Sequence, residues 1–138
     1  MEHANRLQNE ILLDSELETI RNHIEAAERS PLFLSISFCN KYHFASEDGE
    51  TELGLTAMCD QLVVSRVLFR RRRQGTLTTL LPKLTEICKA HQLNQIVIQS
   101  VLTPEMAKWC IKNGFSPHKY HSYSTYAGII GDYLLDVF

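Results

Sequence analysis

The sequence predicts an α/β fold, in which helices cover the faces of a mixed β-sheet. Two patterns support this fold class. In several short stretches apolar residues alternate with polar ones or run together, which is typical of strands. In three longer stretches they recur every three or four residues, which is typical of helices. The order along the chain is strand, helix, several strands, helix, strand, helix and closing strands.

The first two elements are a strand and a helix. Residues 7–14, LQNEILLD, suit a short strand. Ser15 then provides a helix cap, and Glu18, three residues later, provides the return bond of a capping box. Helical spacing of apolar residues continues to about Arg29, and Pro31 ends the helix.

A group of extended segments follows this helix. Residues 32–38, LFLSISF, alternate as in a strand. Asp48-Gly49 is the strongest turn signal in the region and lies within residues 46–50. Two further extended segments are expected, near residues 52–58 and near residues 61–69.

The second half of the chain begins with a glycine and a helix. After Gly75 the apolar spacing becomes helical to about His91. Pro82 lies inside this stretch and should bend the helix or displace its start, because proline lacks a backbone donor. Residues 94–101, NQIVIQSV, then predict a buried strand.

A third helix should begin at Thr103-Pro104, with threonine as the cap and proline in the first helical position. Asn113-Gly114 should end this helix, because glycine readily adopts the left-handed conformation that terminates helices. The remaining residues predict one or two closing strands.

Length and composition predict one domain over residues 1–138, with a net charge of −2 and 44% hydrophobic residues. No apolar run approaches the roughly 18 residues that a membrane-spanning helix needs. The N-terminus lacks the basic-then-apolar order of a secretory signal, so the expected location is the cytoplasm. The cysteines form no C-x-x-C pair, so buried thiols are expected rather than a metal site or disulfides. They are Cys39, Cys59, Cys88 and Cys110.

Five arginines, Arg66 and Arg70 to Arg73, crowd the junction between the apolar segment before Gly75 and the helix after it. They could face a polyanion such as nucleic acid, or they could frame a site for a compact phosphate group. A strand that enters a helix through a glycine presents free N–H groups and the positive end of the helix dipole, which together attract an anion. Guanidinium groups add donors that match phosphate oxygens.

The junction resembles the acetyl-CoA-binding core of the GNAT acyltransferase superfamily. In that family a strand leads into an R/Q-x-x-G-x-G/A turn whose backbone amides hold the pyrophosphate of coenzyme A. The resemblance implies that the backbone around Ser65 and Val67 aligns the pantetheine and polarises the acyl carbonyl. Leu77 stands where the family has a small residue. The residues that match the turn are Arg72, Arg73, Gln74, Gly75, Thr76 and Leu77.

The second half of the resemblance is residues 103–115, TPEMAKWCIKNGF, which are similar to the family's N-x-x-A-x-x-L-Y-x-K-x-G-F helix. Thr103 replaces the asparagine, and Cys110 replaces the tyrosine that often protonates the departing thiolate. The resemblance therefore implies Cys110 as the general acid, or Tyr120 from the tyrosine-rich segment that follows.

The implied activity is transfer of an acetyl group from acetyl-CoA to an amine of a small molecule or peptide, within a mixed and mostly antiparallel sheet. Glu52 and Asp60 are the candidate carboxylates for the general base. The tyrosine-rich end is a candidate surface for a homodimer.

Two other functions stay open. One is a degenerate GNAT-fold domain that binds without turnover, which the departures at Leu77, Thr103 and Cys110 would fit. The other is a nucleic-acid-binding module that uses the arginines of residues 66–73, although the acidic total of the chain disfavours it.

Overall fold

A computed structural model of the protein describes residues 11–69, 75–126 and 128–138. Within these ranges three helices and seven strands alternate much as the sequence predicts. In chain order they are α1 (Asp14–Glu28), β1 (Phe33–Ser37), β2 (Lys41–Ala45), β3 (Glu52–Met58), β4 (Gln61–Leu68), α2 (Thr76–Ala90), β5 (Gln95–Val101), α3 (Pro104–Lys112), β6 (Ser116–Thr125) and β7 (Gly128–Asp136).

The strands form one sheet in the order β1-β2-β3-β4-β5-β7-β6. Neighbouring strands run antiparallel except β4 and β5, which are parallel because α2 carries the chain back across the sheet between them. The prediction of a mixed and mostly antiparallel sheet is confirmed.

The core lies between one face of the sheet and the helices. A row of directly paired residues crosses the sheet on this face, and every member is buried: Tyr42, Leu55, Val64, Ile98 and Tyr133. Directly paired residues point to the same side of a sheet, so the row marks one continuous apolar face. Helix α2 covers it with Leu80 and Leu84, both fully buried.

The opposite face of the sheet carries His43, Gly54 and Arg66 in one paired row. Among the described residues no helix packs on this side. Its valines, Val63 and Val97, are buried but lie outside the main hydrophobic cluster. We call this side the open face.

The N-terminal strand predicted over residues 7–14 is wrong where it can be compared. Residues 7–10 lie outside the described residues, residues 11–13 form no strand, and Asp14 already begins α1. The reason is tertiary. Leu12 is buried in the core, and its N–H donates to the Tyr42 hydroxyl at 3.2 Å, so the apolar run turns inward instead of pairing as a strand.

The predicted cap of this helix is also wrong, because it was placed two residues too late. The N-cap is Leu13, and its N–H donates to the Glu16 carboxylate at 2.8 Å. Ser15 lies inside the helix, and Glu18 instead pairs with Arg21.

Strand β2 is not among the strands that the sequence predicts. It follows β1 through a tight turn in which Cys39 and Asn40 both have positive φ, 64° and 57°. Such turns are usually marked by Asn-Gly or Asp-Gly, which this chain lacks here. Asn40 holds the turn in place, because its side-chain oxygen accepts from the Ile11 N–H at 2.7 Å and from the Tyr42 hydroxyl at 3.0 Å.

The prediction that all four cysteines are buried is half wrong. Cys88 and Cys110 are buried, whereas Cys39 and Cys59 are exposed. Both exposed thiols lie in hairpin turns, where the side chain points away from the sheet core.

Candidate functional site

Strands β4 and β5 separate in the middle of the sheet. Their parallel pairing begins at Gln61 with Gln95 and ends at Val64 with Ile98. Both strands continue beyond this point, to Leu68 and Val101. The edge of β4 beyond Val64 therefore faces a gap rather than a neighbouring strand.

A bulge in β4 bends this strand at the start of the gap. Gly54 of β3 pairs with Arg66 and Leu55 pairs with Val64, so Ser65 is the extra residue. A Cβ atom on Gly54 would lie 2.8 Å from the Ser65 hydroxyl, so a larger residue here would force the Ser65 side chain to move.

A second bulge bends β5 at the same level. Gln99 and Ser100 lie opposite Asp132 alone, between the paired residues Ile98 and Val101. Ser100 has a positive φ of 57°, and the Asp132 carboxylate accepts its N–H at 2.9 Å. Bulges bend strands and are frequent beside active sites, so the two together explain why the sheet opens here.

The gap leads into a cleft of about 770 Å³ on the helix-covered side of the sheet. Its walls come from the end of β4, the first turn of α2 and the first half of α3. The lining residues are Val67, Leu68, Phe69, Gly75, Thr76, Leu77, Thr78, Thr103, Glu105, Met106 and Trp109.

The first turn of α2 has the features of an anion site. Gly75 is the N-cap, with φ 75° and no side-chain cap bond, and no acidic residue lies in the first turn. The first N–H groups of the helix therefore carry its positive partial charge toward the cleft without a capping side chain. A Cβ on Gly75 would meet no atom of the described residues within 4 Å, so these residues leave room for a ligand against this backbone.

The two residues after Gly75 anchor this turn. Thr76 is buried, and its hydroxyl donates to the Glu28 carboxylate at 2.6 Å, which ties the end of α1 to the start of α2. Leu77 is only 7% exposed and belongs to the hydrophobic core. A bulky residue at this position therefore leaves the cleft open.

Helix α3 forms the far wall of the cleft. Its N-cap is Thr103, as predicted, and the Thr103 hydroxyl accepts from the Met106 N–H at 3.2 Å. The indole N–H of Trp109 donates to the Thr78 hydroxyl at 2.8 Å, so α3 is fixed directly to the first turn of α2. Trp109 also packs beside Phe115, with 5.7 Å between ring centroids.

The structure brings together five of the predicted cofactor-binding residues. Ser65 and Val67 lie on β4 beyond the last parallel pair, and Gly75, Thr76 and Leu77 begin α2 beside it. The predictions for Arg72, Arg73 and Gln74 lie outside the described residues.

The two predicted proton donors lie away from the cleft lining. Cys110 is completely buried, and this burial raises the pKa of its thiol to about 12. Tyr120 is 73% exposed on β6, the edge strand of the sheet. Neither residue contributes to the walls of the cleft, so a catalytic role for either one stays a prediction.

The two candidate carboxylates have different positions. Asp60 lies in the turn between β3 and β4, at the end of β4 opposite the gap, and its backbone oxygen accepts from the Asn94 N–H at 2.6 Å. Glu52 lies on the open face close to the gap. Its carboxylate contacts His43 Nε2 at 2.6 Å and Arg66 Nε at 2.9 Å.

Sequence reasoning missed the grouping of His43, Glu52 and Arg66, because these residues come from three strands and meet only through the register of the sheet. Burial alone would raise the pKa of Glu52. The hydrogen bonds from His43 and Arg66 and the charge of Arg66 outweigh burial and lower the pKa below its ordinary value of 4.5. Glu52 is therefore a carboxylate at neutral pH.

Comparison with known proteins gives a fold rather than a close relative. No protein-family model matches the sequence, and no curated protein matches it. Among solved structures, a probable acetyltransferase of the GNAT family from Chromobacterium violaceum matches with a TM-score of 0.55 and 9% identity, over 91% of this chain and 80% of that one. An acetyltransferase of the GNAT family from Staphylococcus aureus matches with a TM-score of 0.51 and 13% identity, over 71% of this chain and 67% of that one. The chain has the GNAT fold.

A third match is an IAA acetyltransferase from Bacillus cereus, with a TM-score of 0.52 and 9% identity, over 70% of this chain and 77% of that one. At such identities the likeness concerns the GNAT fold alone. The described residues contain no helix that is long and apolar enough to cross a membrane. In the same ranges no three His, Cys, Asp or Glu side chains are grouped so that they could hold a metal ion.

Proposed function

We propose that the protein is an N-acetyltransferase that uses acetyl-CoA. The observation that carries this proposal is the direct connection between the gap at Val64 and the uncapped start of α2. An extended acyl thioester with a diphosphate at its far end needs both features side by side. The GNAT fold supports the same reading at the level of architecture.

The residues of the cleft fit the parts of acetyl-CoA. The N–H groups that follow Gly75 would hold the pyrophosphate, since a helix start with an adjacent glycine binds phosphate groups. Arg72 and Arg73, predicted from the sequence, would add charge there. The free edge of β4 from Ser65 to Leu68 would hold the pantetheine, because this edge has no partner strand beyond Val64.

The chemistry that follows is attack of a neutral amine on the thioester carbonyl. A backbone N–H on the free edge of β4 would stabilise the negative charge that develops on the carbonyl oxygen. Such a donor belongs to a strand held by pairing with β3 on its other side, so its position is fixed before the ligand binds.

The chain's single tryptophan gives a direct binding assay, because Trp109 lines the cleft. We expect acetyl-CoA to change the fluorescence of Trp109 and to bind at least a hundredfold more tightly than acetyl-pantetheine, which lacks the diphosphate. That ratio corresponds to about 2.7 kcal/mol. Calorimetry on Trp109→Phe serves as the control that the signal reports binding. Equal affinity for the two ligands would contradict a pyrophosphate site at α2.

A second function, a GNAT-fold binding domain without turnover, is favoured by one observation. Cys110 stands at the position where the family has the tyrosine that often protonates the departing thiolate. This cysteine is buried and outside the cleft lining. Thiol release from acetyl-CoA separates the two functions: binding with no amine-dependent release would favour the binding domain. The acceptor, a small-molecule or peptide amine, stays a prediction, as do a homodimer and a cytoplasmic location.

A further inference from the structure

The cluster of His43, Glu52 and Arg66 spans three neighbouring strands on the open face. His43 on β2 pairs with Gly54 on β3, which pairs with Arg66 on β4. Gly54 has no side chain, so the Glu52 carboxylate can bridge the side chains of His43 and Arg66, which lie on either side of Gly54. One carboxylate oxygen contacts His43 Nε2 at 2.6 Å and the other contacts Arg66 Nε at 2.9 Å.

This cluster adjoins the gap on the side opposite the cleft. Arg66 directly follows the bulge at Ser65, where β4 leaves β5. The cleft, in contrast, is lined by residues of α2 and α3 on the helix-covered side. A thioester that enters from the cleft would therefore present its carbonyl to an amine approaching from the open face, beside Arg66. His43 lies on the same face, two strands from β4.

The hydrogen bond to Glu52 determines how His43 is protonated. A carboxylate only accepts, so the His43 nitrogen bound to it, Nε2, must carry the proton. In the neutral imidazole the other ring nitrogen, Nδ1, then has a lone pair that can accept a proton. The side chain of His43 is 45% exposed, whereas that of Glu52 is 16% exposed, so solvent and ligands reach the imidazole more readily than the carboxylate.

We propose that His43 is the general base that deprotonates the acceptor amine, and that Glu52 is its positioning residue. This proposal rests on the proposed function. The ammonium of the acceptor transfers one proton to Nδ1 of His43, which becomes an imidazolium paired with the Glu52 carboxylate. The amine nitrogen forms a bond to the thioester carbon and the carbon–sulfur bond breaks. The second amine proton leaves with the thiolate as coenzyme A thiol.

The charges around His43 fit this role. On β3 the negative charge of the Glu52 carboxylate stabilises the imidazolium. On β4 the guanidinium of Arg66 neutralises part of the negative charge of Glu52. On β1 the residue paired with His43 is Ser35, which does not titrate. Lys41, two positions away on β2, is a further charged group on the same side of that strand.

The test compares two small amines as acceptors, with thiol release from acetyl-CoA as the readout. n-Butylamine is protonated at neutral pH and must lose a proton before it attacks, whereas hydroxylamine is already neutral. We expect His43→Gln to lower kcat/KM for n-butylamine about a hundredfold or more and for hydroxylamine less than tenfold. The fluorescence of Trp109 should show unchanged acetyl-CoA binding in the variant.

The role of Glu52 is tested by the pH profile. We expect Glu52→Gln to move the acidic limb of log kcat/KM for n-butylamine to lower pH, because the imidazolium loses its anionic partner. Glu52→Asp should restore the limb in part. A merely structural role would lower the rate at every pH and leave the limb in place.

The outcomes separate the two proposals. Failure of the wild-type chain to bind acetyl-CoA would overturn the proposed function. Binding with transfer that is equally fast in His43→Gln would overturn the role of His43 and leave the proposed function intact. Binding of acetyl-CoA without transfer to either amine would also overturn the role of His43, and it would favour the binding domain without turnover.

Discussion

The anion site at the start of α2 can be tested by placing one negative charge beside it. Gly75→Asp puts a carboxylate at the N-cap, and Gly75→Asn puts a neutral group of the same shape there. Both side chains tolerate the left-handed conformation that Gly75 has, with φ 75°. Neither side chain meets a steric obstacle at its Cβ from the part of the chain that the structure describes, because none of these atoms lies within 4 Å of that point. Charge is therefore the main difference between the two variants.

The size of the effect follows from Coulomb's law. A carboxylate about 5 Å from one phosphate charge, at an effective dielectric constant of about 20, costs roughly 3 kcal/mol. This corresponds to a loss of about a hundredfold in affinity for acetyl-CoA. Both variants should lose a similar amount of stability, about 1 kcal/mol, because a side chain at a φ of 75° is strained even where space is open.

Calorimetric titration of both variants with acetyl-CoA, together with thermal unfolding, checks this reasoning. Gly75→Asp should lose affinity relative to Gly75→Asn, and the difference should shrink at high salt because screening weakens the repulsion. Equal affinities in the two variants at low salt would refute an anion site at this turn.

Three further predictions concern stability and reactivity. In the native protein two thiols, Cys39 and Cys59, should react with a thiol reagent, whereas Cys88 and Cys110 should react only after unfolding, since burial raises the pKa of each to about 12. Gly131→Ala should destabilise the protein by roughly 2–4 kcal/mol in denaturant unfolding, because its Cβ would lie 2.3 Å from the His121 carbonyl oxygen at a φ of 119°. Gly128→Ala, with a φ of 122° but open space, is the control and should cost only about 1 kcal/mol; equal losses would show that the clash is relieved. Glu52→Gln should reduce the free energy of unfolding at neutral pH. The difference in stability between the variant and the native protein should disappear as the pH falls through and below 4.5. The reason is that the lowered pKa of Glu52 stabilises the folded protein only while the group is ionised. A difference that does not shrink as the pH falls below 4.5 would contradict this.

Much of the fold could be predicted because the relevant signals are local. Thr103 followed by Pro104 caps and starts α3 through its own hydroxyl, and no distant residue is needed. The alternating or continuous apolar residues of β3 and β4 likewise reach the sheet at nearly the predicted bounds. Pro82, in contrast, lies inside α2 without displacing its start at Thr76, because the core residues of the helix hold it in place.

Local signals failed where a distant contact decides the conformation. The run from Ile11 to Leu13 looks like a strand, but Asn40 and Tyr42 draw it into the core by accepting its N–H groups. The turn at Cys39 and Asn40 lacks a standard turn sequence for the same reason, since Asn40 is held by contacts from outside the hairpin.

The sequence by itself determined the glycine at the start of α2, where we propose that phosphate binds, and the type of the helices around it, because a glycine, a helix start and capping residues act within a few positions of the chain. Only the tertiary structure decided where β4 and β5 separate and that His43, Glu52 and Arg66 meet beside that gap. Both depend on strand register and on bulges. A shift of one residue in register would turn these side chains to the other face, and no local pattern in the sequence specifies it.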